Sequence, residues 1–206
     1  GTCIRADVTV TFFRKKPAHV LAAGKMLCGE VQVAEIGIPA AVLEAIKPQL
    51  RENVRPLWPE LGPTTHKYKR GHALVVSGPR FNTGAARLAA QAAQRAGAGL
   101  VTLCGYEQSL LVHACHVSSI MLREVPDAIG LDRLLQDRRI NAVCIGPAAG
   151  VGPATMASVR AGLGSPAQAV LDADALTSYT QNPAELFDLI QQRADGAGTI
   201  LTPHEG

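Results

Sequence analysis

Neither sign of charge is in large excess. Twenty basic residues face 17 acidic ones, the net charge is +3, and no long Lys/Arg run occurs. That excludes a nucleic-acid binder driven by phosphate neutralisation. Charged residues are few, at 18%, against 47% apolar, so the chain has the means to bury a core and does not read as disordered. No apolar stretch reaches the roughly 18 residues that span a bilayer. Paired cysteines are lacking too: Cys3, Cys28, Cys104, Cys115 and Cys144 are odd in number and form no CxxC. This disfavours a disulfide framework or a zinc ribbon and fits a reducing, cytoplasmic setting. There is no tandem repeat or low-complexity tract. The chain opens on Gly1-Thr2-Cys3 without Met or a signal-peptide apolar region. It ends on a strand that runs into a polar turn, and reads as an internal piece of a longer protein.

The 206 residues suffice for one domain, or for one domain and part of another. Residues 6–13 (ADVTVTFF) alternate Val8, Val10 and Phe12 with Thr9 and Thr11, a period-2 strand. Val31, Val33 and Ile36 predict a second strand, and a short helix follows at about 39–46. Residues 47–65 hold Pro48, Pro56, Pro59, Pro63 and Gly62, and are expected to be a linker. The expected division is therefore 1–46, a linker at 47–65, and a second domain at 66–206.

From there the pattern is βαβ. Strands are expected at 72–77, 100–103, 142–145, 169–171 and 199–201. Helices are expected at 84–96, 106–116, 129–137, 152–162 and 183–192. Strands alternating with helices imply a mainly parallel sheet covered on both faces. Ligands of such sheets bind beyond the carboxyl ends of the strands.

Four strand ends carry unusual residues. Ser77-Gly78-Pro79-Arg80-Phe81-Asn82-Thr83 enters a helix through Gly84-Ala85-Ala86. Free amides at a helix N-terminus, bare of side chains, can receive a phosphate; the same loop also serves tight helix–sheet packing. Gly146-Pro147-Ala148-Ala149-Gly150 offers backbone to a ligand, or is an ordinary turn. Asp172 and Asp174 could orient a sugar hydroxyl or hydrated Mg²⁺, or one could cap a helix. His204, in Thr202-Pro203-His204-Glu205-Gly206, could donate to a phosphate or carboxamide, or lie idle on the surface. Two further signals point elsewhere. His113, Cys115 and His116 share a helix but point in divergent directions, so they do not make a metal site. The basic run His66–Arg70 reads as a solvated entry loop.

Taken in order, HKYKRGHALVVSG, NTGAARLAAQAAQRAGAGLVTL, IGPAAG, VLDADAL and LTPHEG resemble the ADP/ATP-dependent NAD(P)H-hydrate dehydratase family, of ribokinase-like fold. The stretch ADVTVTFFRKKPAHVLAAGKMLCGEVQVAEIGIP resembles the final segment of NAD(P)H-hydrate epimerase, often fused ahead of the dehydratase. The resemblance implies the last strands of a Rossmann-like epimerase domain at 1–46, and at 66–206 the N-terminal part of a ribokinase-like domain. It implies a repair reaction, in which ADP or ATP phosphorylates the ring hydroxyl of the S hydrate of NADH or NADPH and loss of phosphate restores the dihydropyridine. Mg²⁺ would accompany the nucleotide, and K⁺ would serve the epimerase. The full-length protein would be a homo-oligomer, with no nucleic-acid or membrane partner. The substrate would meet Gly84, Ala85, Gly146, Gly150 and His204, with Asp172 and Asp174 lining the same crevice. The family's catalytic aspartate and nucleotide-binding residues would lie beyond Gly206, and the epimerase substrate and potassium residues before Gly1. Neither catalytic set would be complete in these residues.

The family usually has GPGLG where this chain has GPAAG, so Ala148 replaces a glycine, which argues against a positive-φ backbone or a close ligand approach there. The segment at His116 also lacks the Pro-Glu often found before the next strand. Two other readings fit parts of the pattern: a ribokinase-like small-molecule kinase, and a nucleotide-binding module without chemistry.

Overall fold

The computed structural model describes residues 4–53 and 62–204. The chain divides into two compact units, Gly1–Glu60 and Leu61–Gly206. Of the expected linker, residues 54–61 lie outside the described residues.

The first unit holds β1 (Val8–Phe12), α1 (Pro17–Val20), α2 (Ala22–Leu27), β2 (Glu30–Ala34) and α3 (Val42–Ile46). β1 and β2 pair in parallel, with Val8 opposite Glu30 and Phe12 opposite Ala34. The alternation read from the sequence is present. The covered face, however, is the threonine face: Thr11 is buried, whereas Val10 and Phe12 are more than half exposed. Thr9 Oγ1 donates to the Cys28 carbonyl at 2.7 Å, which ties β1 to the end of α2. Periodicity fixes which residues share a face, not which face is covered.

The second unit begins with a 3₁₀ turn (Lys67–Arg70). It continues through β3 (His72–Val76), α4 (Gly84–Arg95), β4 (Leu100–Gly105), α5 (Glu107–Ala114), β5 (Met121–Glu124) and α6 (Ala128–Leu135). Then come β6 (Ile140–Ile145), α7 (Pro153–Gly164), β7 (Gln168–Asp172), α8 (Asp174–Thr177), α9 (Pro183–Gln191) and β8 (Thr199–Thr202). All six strands pair in parallel in the order β5-β4-β3-β6-β7-β8. The order reverses direction between β3 and β6. That makes a topological switch point, with a crevice outside the carboxyl ends of those two strands.

Both faces of the central strands are buried, as parallel strands require, while the edge strands β5 and β8 leave Met121 and Ile200 exposed. On one face Val75, Val101 and Leu103 pack against Ala86 and Ala90, whose small side chains bring α4 close. On the other, Leu74, Val143, Ile145 and Leu171 meet Leu131, Val159, Leu163, Leu186 and Tyr179 from the helical layer. Asp127 starts α6 by accepting the Gly130 amide at 2.7 Å, and Pro153 occupies the first turn of α7.

Candidate functional site

Because every strand of the sheet runs the same way, every carboxyl end lies on one edge. The loop after β3 leads to Gly84, the turn after β6 spans Gly146–Gly150, Asp172 closes β7, and Pro203-His204 follow β8. The structure therefore sets the seven sequence-predicted residues along a single sheet edge. Glu205 and Gly206, the end of the TPHEG motif, lie outside the described residues.

The glycines there fall into two kinds. Gly146 has φ +122°, and a Cβ on it would stand 1.8 Å from the Asp172 carbonyl oxygen and 2.8 Å from Ala175 Cβ. A Cβ on Gly78 would stand 1.7 Å from the Ala148 carbonyl oxygen. These two are glycine because backbone abuts backbone, which seats the β3 loop against the β6 turn. Gly84 and Gly150 differ, since a Cβ on either would meet nothing within 4 Å. Gly150 has φ +90°, which alone favours glycine. Gly84 has no such backbone demand. It stands at the first position of α4, where glycine costs helix stability and packing gains nothing from it.

The start of α4 is also open for acceptors. The Thr83 hydroxyl does not cap the helix; it accepts from Arg87 Nη1 at 2.7 Å. The first amides of a helix have no intrahelical partner, so those of Gly84–Ala86 project from the helix with the positive end of its dipole.

Ala148 has φ +54°, so the chain keeps the left-handed turn with alanine in place of glycine. Holding a non-glycine residue there costs about 1–2 kcal/mol. The turn is bracketed from α8. Asp174 Oδ2 accepts the Gly150 amide at 2.8 Å, and Ser178 Oγ accepts the Gly152 amide at 3.0 Å. Thr155 Oγ1 donates to the Gly150 carbonyl. Asp172 Oδ1 accepts from Thr202 Oγ1 at 2.6 Å, which ties the ends of β7 and β8 together beside His204. One oxygen of each carboxylate is thus spent on the protein itself. Among the described residues no group of three His, Cys, Asp or Glu side chains could hold a metal ion. The donor set does not fit a resident Mg²⁺.

A cavity of about 300 Å³ opens beside the turn, lined in part by Ser77, Gly105, Tyr106, Asp127, Ala149 and Thr155. Of the turn expected to face a ligand, Ala149 lines the cavity; Gly84, Ala85, Gly146, Gly150, Asp172, Asp174 and His204 do not. Sequence reasoning also passed over Thr202, Ser178 and Thr155. Thr202 sits inside a motif already singled out, whereas the other two reveal themselves only through tertiary contact. His113 is fully buried and turns inward to Ser77, away from any metal grouping with Cys115 and His116. Burial holds its pKa below the ordinary 6.5, with smaller contributions from Arg87 and His116.

This architecture is that of a ribokinase-like α/β domain. The unit overlaps the ribokinase-like superfamily protein of Enterococcus faecalis with a TM-score of 0.55 at 19% identity, over 71% of this chain and 49% of that one. It overlaps the ADP/ATP-dependent NAD(P)H-hydrate dehydratase of Bacillus subtilis, a protein co-crystallised with ATP and Mg²⁺, with a TM-score of 0.53 at 23% identity and the same coverage. The family model for NAD(P)H-hydrate dehydratase matches residues 73–206. The bifunctional NAD(P)H-hydrate repair enzyme Nnr of Coxiella burnetii is 32% identical over 210 residues, covering 100% of this chain and 41% of its own length. That of Salinibacter ruber is 34% identical over 223 residues, covering 100% and 40%. The chain belongs to the NAD(P)H-hydrate dehydratase family, and it spans about two fifths of the length of these curated relatives. Among the described residues no helix is long and apolar enough to cross a membrane.

Proposed function

We propose that the full-length protein dehydrates the S form of hydrated NADH or NADPH, with ADP or ATP as phosphoryl donor, and that the sheet edge described above holds the hydrate. One observation carries this reading. Gly84 is a helix-starting glycine with no packing and no backbone reason to be glycine, placed at the switch point beside a turn kept in left-handed geometry. Backbone left bare at such a place suits close approach of a dinucleotide.

In the proposed arrangement the amides of Gly84 and Ala85 receive a phosphate oxygen of the dinucleotide. The Gly146–Gly150 turn, held from behind by Asp174, presents backbone to the hydrated ring. His204 donates to a polar group of the same ligand. Asp172 keeps the β7 and β8 ends in register and turns its remaining oxygen to the crevice. Phosphorylation turns a poor leaving group, hydroxide, into a good one, phosphate. As the C–O bond breaks, the ring loses a proton and regains its double bond. What these residues contribute is positioning and the charge of oriented amides. Mg²⁺ travels with the nucleotide phosphates, which is its usual mode. The 1–46 segment belongs to a fused epimerase domain that uses K⁺.

The test is to incubate full-length protein with the S hydrate and ADP or ATP. The dihydronicotinamide absorbance should return with release of inorganic phosphate. A stable phosphorylated alcohol accumulating instead identifies a small-molecule kinase. Nucleotide binding without turnover identifies a module that lacks the chemistry.

A further inference from the structure

One buried polar network lies behind this edge and takes no part in the scheme above. His113, on α5, has no exposed surface, and its Nε2 lies 2.8 Å from Ser77 Oγ. Ser77 Oγ donates to the Gly78 carbonyl at 3.1 Å, and Ser109 Oγ, also on α5, donates to that carbonyl at 2.8 Å. His113 Nδ1 is buried with no hydrogen-bond partner among the described residues.

These contacts favour one position for the imidazole proton. With the Ser77 hydroxyl hydrogen directed to the Gly78 carbonyl, Ser77 Oγ accepts and His113 Nε2 donates. The partnerless Nδ1 is then a bare lone pair. The opposite tautomer would bury an N–H with no acceptor, the rarer and costlier defect. The network ends on Gly78, the residue whose Cα faces the Ala148 carbonyl so closely that a Cβ would stand 1.7 Å from it. The hydroxyls of Ser77, at the end of β3, and of Ser109, on α5, therefore both fix the peptide that roots the Gly78–Gly84 loop and rests on the Gly146–Gly150 turn.

We propose that His113 is a positioning residue: as a neutral imidazole protonated on Nε2 it orients Ser77 and, through the Gly78 carbonyl, holds the two ligand-facing loops in register. Its effect on ligand affinity rests on the function proposed above; its effect on the loop does not.

The test combines NMR and ligand titration on this chain, unaltered and with His113→Leu, His113→Gln and Ser77→Ala. Two-bond proton–nitrogen correlations should show the His113 proton on Nε2. His113→Leu and Ser77→Ala should both displace the amide resonances from Asn82 to Gly84 and weaken binding of the NADPH hydrate by about fivefold to tenfold, the worth of one buried hydrogen bond. His113→Gln, whose amide can still donate to Ser77, should keep both within about twofold. If His113→Leu does not fold, the smaller Ser77→Ala change carries the same comparison. A proton on Nδ1, or loop amides and affinity unmoved by both deletions, overturns the proposal. If the unaltered chain binds no hydrate but the deletions still displace the loop amides, the ligand assignment fails and the role of His113 stands.

Discussion

Replacing Gly146 by alanine should damage the second unit far more than replacing Gly150, although both glycines have positive φ. Each alanine carries the strain of a left-handed backbone, about 1–3 kcal/mol. Each also gains a similar offset from a less flexible unfolded chain, about 0.4–1 kcal/mol. These contributions nearly cancel in the comparison. What remains is contact. At Gly150 the new methyl meets open space, whereas at Gly146 it lands 1.8 Å from the Asp172 carbonyl oxygen. That oxygen is backbone at the end of β7, so relief requires moving the strand end or the turn by more than 1 Å, an overpacking cost of about 1–3 kcal/mol. A gap of about 2 kcal/mol between the two variants follows, or roughly thirtyfold in an opening equilibrium. Native-state hydrogen exchange at the β6 and β7 amides reads this unit apart from the first one. Equal protection in the two variants would refute the claim that Gly146 is glycine for want of room.

Other outcomes can be checked in the same material. Ala148→Gly should stabilise by about 0.5 kcal/mol, the relief of left-handed strain less the entropy cost of a more flexible unfolded chain; a loss of stability in urea unfolding would contradict this. Asp174→Ala should expose the Gly150 amide to exchange and loosen the turn by about 1–3 kcal/mol, while Asp174→Asn, which keeps an acceptor, should cost less. His113 and His72 both have pKa values held below 6.5, by burial first in each case. Unfolding frees them to take up protons, so the stability they contribute is complete above pH 6.5 and falls as pH drops below it. The slope between pH 7 and pH 5 should shrink in His113→Gln. Burial pushes Cys104 up to about 12 and Cys144 up to about 11. Both should resist alkylation at pH 8 while exposed Cys115 reacts, and stability should decline from the ordinary thiol value of 9.0 toward about 12 as the unfolded thiols ionise first.

The sheet was legible because its strands are short apolar runs stopped by Gly, Pro or Asp, and because parallel topology puts all such stops on one edge. In the first unit α1 and α2 were not, and in the second unit β5 and α8 were not. β5, Met121–Glu124, carries Arg123 and Glu124 and is only four residues long, so neither length nor apolar run marks it; pairing with β4 makes it a strand. α8, one turn at Asp174–Thr177, directly follows Asp172 and Ala173 and has no period to detect. At the site, positions were legible and partnerships were not. DADAL announces two carboxylates. Only the fold shows that one oxygen of Asp174 holds the Gly150 amide and one of Asp172 a threonine hydroxyl. His113 illustrates the same limit: in sequence it stands beside Cys115 and His116, and in space it belongs to Ser77.

In the proposed function a hydrated dinucleotide lies along the carboxyl edge of this sheet, and amide chemical-shift mapping with the NADPH hydrate checks this placement. Perturbations should gather at Gly84–Ala86, Gly146–Gly150 and His204. Perturbations confined to other surfaces, or none at saturating ligand, would contradict it.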